Sequence, residues 1–195
     1  MTVRHDLARS ARWPSARKLC TALGIVLAGA AGMHTACAQK QASETQVKAA
    51  FVYNFALFTT WPPDAMPPDG PMVVCVKPDH PLQAALEKLT GKPVRGHRLE
   101  IRRLNDSTAT GCHVLVIDAR VANGVRVDPA AAVLVISDQP RTTRGSGPDP
   151  VISLALDGDR VVFDIDAAAA RQARLELSSQ LLRLARSVQL SLIHI

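Results

Sequence analysis

Three short, uninterrupted runs of β-branched and aliphatic residues, Met72 to Val76, Val114 to Ile117 and Val133 to Ile136, limit most strongly how this chain can fold. A strand with one wet face alternates apolar and polar side chains, whereas a strand apolar at every position must be covered on both faces. Such runs fit the inner strands of a mainly parallel sheet in an α/β domain. Pro81 to Leu89, with Leu82, Ala85, Leu86 and Leu89 on one side, reads as a connecting helix. Arg98 to Leu104 alternates charged and apolar residues, as an exposed strand near a sheet edge would.

The flanking segments complete the expected architecture. Glu44 to Thr59 carries one apolar stripe at Val47, Ala50, Phe51, Asn54 or Phe55, and Phe58, with Val52, Tyr53, Ala56 and Leu57 on the opposite side. A helix apolar nearly all round is either deeply buried or shared between a core and a partner. Trp61-Pro62-Pro63 ends it, because the residue before a proline avoids the helical region. From Val151 to Asp166 apolar residues alternate on either side of Asp157-Gly158-Asp159-Arg160, which predicts a C-terminal β-hairpin. Asp166 stands at an N-cap position, and strong helix formers from Ala167 to Val188, with Ala173, Leu177, Leu181, Leu184 and Val188 as the inner stripe, predict a long C-terminal helix. Arg141 to Pro150, rich in Gly, Ser and Pro, reads as a surface loop.

Both ends read differently from the middle. Residues 1–38 have a basic start (Arg4, Arg9, Arg12, Arg17, Lys18), an apolar stretch from Leu19 to Met33 and small residues at Ala36-Cys37-Ala38, the layout of a signal peptide cut near Ala38. A retained anchor and lipidation at Cys37 are the alternatives, although His34-Thr35-Ala36 lacks the leucine that lipidation favours. Residues 190–195, Leu-Ser-Leu-Ile-His-Ile, read as a non-native tail of adaptor origin, with a genuine apolar terminus as the alternative. One α/β domain over 39–189 remains.

The formal charge of +6 falls to +2 for that part, with 18 basic against 16 acidic residues, and the basic residues do not alternate with aromatics. Neither fact calls for a nucleic-acid partner. Of the four cysteines, Cys20 and Cys37 lie in the leader, and an even remainder in an oxidising compartment predicts a disulfide between Cys75 and Cys112. Two inert core thiols are the alternative.

Catalytic constellations do not emerge. The chain has no G-x-S-x-G, P-loop, G-x-G-x-x-G, C-x-x-C or paired-histidine metal motif, and His80, His97 and His113 are scattered singly. No catalytic residue, metal or cofactor is therefore assigned. Asp118 follows one buried run and Ser137-Asp138 another, which places these three where open α/β sheets collect ligands. Capping of nearby turns is the alternative for all three. Phe51, Tyr53, Phe55 and Phe58 exceed what one helix face can bury, so they are candidates for a partner interface.

Val47-Lys48-Ala49-Ala50-Phe51-Val52-Tyr53-Asn54-Phe55 followed by Trp61-Pro62 resembles the opening of the YfiR-like periplasmic family. Cys112 to Ile117, Val133 to Asp138, and Val161-Val162-Phe163-Asp164-Ile165-Asp166 through Leu177 to Leu182 follow in matching order. The resemblance covers Glu44 to Val188. It implies an α/β domain with a Rossmann-like core, often a homodimer, acting as a periplasmic repressor of an inner-membrane diguanylate cyclase. It also implies lowered cyclic di-GMP and biofilm formation, with the cyclase's periplasmic domain and an outer-membrane lipoprotein as partners. A small-molecule-binding sensor is the alternative function. The chain departs from the family pattern at Gln139 to Pro150, which carries no second cysteine pair.

Overall fold

A computed structural model of the chain describes residues 43–118, 124–140 and 147–189. The signal peptide expected over 1–38, the tail expected over 190–195 and residues 141–146 of the expected loop lie outside the described residues.

The first helix, α1 (Glu44–Leu57), starts where its capping chemistry demands. Ser43 Oγ accepts from the Gln46 amide, and Gln46 Oε1 accepts from the Ser43 amide at 3.1 Å, so two otherwise orphaned donors are satisfied reciprocally. Its inward face is Lys48, Ala49, Val52, Phe55 and Ala56. Of the stripe read from the sequence, Val47, Ala50, Phe51, Asn54 and Phe58 lie along the half-buried to exposed side, whereas Phe55 belongs to the buried one. The helix ends at Leu57, before the prolines, and the chain runs into a short strand, β1 (Thr59–Thr60).

The buried runs become β2 (Met72–Val76), β5 (Val114–Ile117) and β6 (Leu134–Ser137). Between the first two lie a short helix, α2 (Gln83–Glu87), and the strands β3 (Pro93–Val94) and β4 (His97–Arg103). The hairpin forms as β7 (Ile152–Asp157) and β8 (Arg160–Asp166), around a two-residue turn in which Gly158 takes a φ of +59°. The charged strand β4 is one place from the edge, because β3 pairs antiparallel outside it.

The expected long C-terminal helix is broken. The chain instead forms α3 (Ala167–Gln172), β9 (Glu176–Leu177), α4 (Ser179–Leu184) and β10 (Ser187–Gln189). The Asp166 carboxylate caps α3 by accepting from the Ala168 and Ala169 amides, both at 2.9 Å. Arg174 then takes a left-handed φ of +54°, and its guanidinium donates to Asp64 and to the Ala130 carbonyl, each at 2.9 Å. Ser178 caps α4 through the Leu181 amide. Pairing of β9 with β1 and of β10 with β8 supplies hydrogen bonds that a continuous helix would forgo. Tertiary pairing here overrides local propensity.

The eight-stranded sheet runs β10-β8-β7-β6-β5-β2-β4-β3 and is mixed. Strands β4, β2, β5, β6 and β7 are mutually parallel, whereas β8 meets β7 and β3 meets β4 antiparallel. Counted from β2, the parallel strands stand second, first, third, fourth, fifth, so the chain reverses direction between β2 and β5. Side chains alternate across this sheet. Met72, Val74, Val76, Val114, Val116, Leu134 and Ile136 join α1 in one core, while Val73, Cys75, Leu115, Ile117, Val133 and Val135 face a second core closed by Leu104, Ala109, Cys112 and Val125. Leu104, Ala109, Cys112 and Val125 lie outside the sheet's strands, and the disulfide between Cys75 and Cys112, with Cα atoms 5.7 Å apart, ties Cys112 to the central strand.

His113 links a loop to β2. Its Nδ1 accepts from the Val73 amide at 3.0 Å, which puts the ring proton on Nε2 to meet the Ala65 carbonyl at 3.1 Å. Burial holds its pKa below the ordinary histidine value, so the folded state takes up a proton less readily than the unfolded chain. The contribution of this residue is therefore full above about pH 6.5 and is lost as the pH falls through the lowered folded value. In urea titrations between neutral and mildly acidic pH, His113→Gln should flatten the fall in stability; an unchanged slope would assign that fall to other groups.

Candidate functional site

Where the parallel strands β2, β5 and β6 end, the apolar core gives way to a small set of buried polar side chains. Asp118 directly follows β5 and is 8% exposed, Asp138 directly follows β6 and is 5% exposed, and His80, four residues beyond β2, is 4% exposed. Lys48 reaches them from the inward face of α1 and is itself buried. The strand order reverses between β2 and β5 at this end of the sheet, the location at which open α/β sheets bind ligands.

Each member is held by its backbone surroundings. The Asp138 amide donates to the Ile117 carbonyl at 3.0 Å, and the Asp138 carbonyl accepts from Lys48 Nζ at 2.9 Å. Lys48 also forms an ion pair with Glu44 at 2.8 Å, one turn earlier on α1. His80 Nδ1 accepts from the Leu82 amide at 3.1 Å, which fixes the ring and places its proton on Nε2. That nitrogen stands 3.8 Å from Asp138 Oδ2, beyond hydrogen-bond reach. Burial pushes the Asp138 carboxyl above its ordinary pKa, Asp118 and Glu44 push the same way, and His80 and Lys48 oppose them.

The three residues proposed for a ligand thus separate. Asp118 and Asp138 come together in the interior, and Asp118 is engaged in interactions of its own. Ser137 belongs to a local turn, its hydroxyl donating to the Gln139 carbonyl at 2.9 Å and accepting from the Gln139 amide at 3.2 Å. Sequence reasoning missed Lys48 and His80. A signal for the first was present, since Lys48 is the only basic residue of α1 and is flanked by Val47 and Ala49.

The aromatic candidates also divide. Phe55 is 1% exposed and packs edge-on against Phe163 with centroids 4.8 Å apart, so it is a core residue and offers no surface to a partner. Phe51 is half-buried beside both rings, at 5.7 Å and 5.8 Å. Tyr53 and Phe58 are half-buried as well, the Tyr53 hydroxyl donating to the Pro93 carbonyl at 2.7 Å with Lys92 Nζ 5.5 Å from its ring centroid.

Among the described residues no group of three or more His, Cys, Asp or Glu is placed to hold a metal ion, and no helix is long and apolar enough to cross a membrane. A cavity of about 450 Å³ is lined by Val133, Val135, Val151, Ala169 and Ala173, with Asp128 and Gln172 among its polar residues. It is remote from the polar cluster in its lining.

Parallel inner strands covered on both faces, with a buried polar cluster at their carboxyl ends and a helix presenting a second apolar edge, define an α/β domain of doubly wound strand order. A sequence model of the YfiR/HmsC-like family matches residues 45–186, and the chain belongs to that family. A search of curated proteins finds no match.

Proposed function

We propose that this chain is a periplasmic regulatory protein, exported through a leader of residues 1–38, that restrains an inner-membrane diguanylate cyclase by direct contact and so lowers cyclic di-GMP. One α/β domain over 39–189 carries this role without catalysis of its own. Family membership supports the regulatory reading. The observation that carries the contact surface is the outer edge of α1, where Val47, Ala50, Phe51, Asn54 and Phe58 recur at helical spacing and stand half-buried or exposed. Aromatic residues are enriched in protein interfaces. Tyr53 flanks this edge. An outer-membrane lipoprotein that competes for the same surface, and a homodimer, belong to the same proposal.

Titration of the mature protein with the periplasmic domain of a cyclase encoded beside it tests the reading. Phe51→Ala and Tyr53→Ala should each weaken binding by about 1–2 kcal/mol, roughly 5- to 30-fold in Kd. Both variants should keep the wild-type circular dichroism. Unchanged affinity in both would remove α1 from the interface.

A second reading, a sensor of a small polar molecule, is favoured by the position of Asp118 and Asp138 at the strand-order reversal. Loss of the cyclase response with retained response to a solute would favour it.

A further inference from the structure

Two buried polar atoms in the cluster beneath α1 have no hydrogen-bond partner among the described residues: His80 Nε2 and Asp138 Oδ1. The His80 side chain is 0% exposed and the Asp138 side chain 7%, so bulk solvent does not serve them. Buried donors and acceptors are nearly always paired in folded proteins, since leaving one unmade costs its desolvation without return.

A direct bond between the two side chains would be the simplest remedy, and at 3.8 Å from Nε2 to Oδ2 it is not made. The imidazole is pinned through Nδ1 by the Leu82 amide, while the main chain of Asp138 is held by the Ile117 carbonyl and by Lys48 Nζ. The polarity of the gap is also fixed. Because Nδ1 is an acceptor, Nε2 carries hydrogen and must donate; Oδ1 of a carboxylate must accept. An occupant that satisfies both has to accept and donate at once, as a single water does.

We propose that His80 Nε2 and Asp138 Oδ1 form an internal binding site for one water-sized, amphoteric molecule, water itself being the resident, and that this molecule completes the seat of α1 on the carboxyl ends of β2, β5 and β6. The raised pKa of the Asp138 carboxyl agrees with a carboxylate poorly served by fixed protein donors. Glu44 and Lys48 of α1 and Asp118 after β5 are the other charged groups around it.

A crystal structure of the mature wild-type protein, at a resolution that shows ordered waters, tests this without any variant. Density is expected at roughly 2.7–3.2 Å from both atoms. Direct contact between Nε2 and the Asp138 carboxylate, with nothing between them, would overturn the proposal. In solution, the His80 Nε2 proton should show a nuclear Overhauser contact to a long-lived water. His80→Phe should abolish the density and lower the melting temperature. If that variant does not fold, the wild-type structure and spectrum still decide.

Discussion

Phe55→Ala should destabilise the domain by about 3–5 kcal/mol, the range for truncating a fully buried phenylalanine. The ring is sealed between α1 and the hairpin strand β8, in edge contact with Phe163 and beside Phe51, so its removal leaves a cavity at the joint between helix and sheet. A domain of this size has a total stability of only about 5–15 kcal/mol. The variant should therefore unfold at much lower urea, and α1 should lose amide protection first. Phe51→Ala, from the half-buried neighbour, should cost clearly less. Equal losses at both positions would show that Phe51 is as much a core residue as Phe55, and would weaken the case for the outer edge of α1 as a contact surface.

Removing the disulfide should cost nearly as much. Cys75 and Cys112 are 37 residues apart, and closing a loop of that length stabilises a fold by about 3–4 kcal/mol on the chain-entropy model. At roughly 2–4 °C per kcal/mol for a domain of about 150 residues, the Cys75→Ala/Cys112→Ala variant should melt about 6–16 °C lower. The tether matters here because Leu104, Ala109, Cys112 and Val125, which close the core on the second face of the sheet, lie outside its strands. Arg102 donates to both sulfurs, at 3.4 Å and 3.3 Å, and to the Thr110 carbonyl, so the same loop is clamped from β4 as well. Mass spectrometry of the unreduced, unfolded protein should find no alkylatable thiol at either position. Two reactive thiols would contradict the bridge.

How much of this could be read from residues alone varies with the physics involved. Strands β2, β5 and β6 were legible because continuous apolar runs have few other uses, and the hairpin because its turn chemistry is local. The Asp166 cap was legible for the same reason. The break at Arg174 was not. Nothing local forbids a helix there, and the left-handed turn is held by Asp64, 110 residues away, and by Ala130. Ser178 gave a faint signal, since a serine that caps α4 had to be read as a helix interior. The orientation of α1 was ambiguous in principle, because both faces carry apolar residues and neither is free of polar ones, with Asn54 on the exposed face and Lys48 on the buried one. The buried cluster was half legible: Asp118 and Asp138 follow from strand ends, whereas His80 is brought in by a turn after β2 whose course no periodicity encodes.

The central claim is that the protein restrains a diguanylate cyclase across the periplasmic side of the inner membrane. Cellular cyclic di-GMP in the native host, compared between wild type, a gene deletion and the deletion complemented in trans, tests it most directly. The account predicts a rise on deletion, a return to wild-type level with the intact gene, and only partial return with Phe51→Ala. Unchanged cyclic di-GMP on deletion, in cells expressing a cyclase encoded beside the gene, would contradict it.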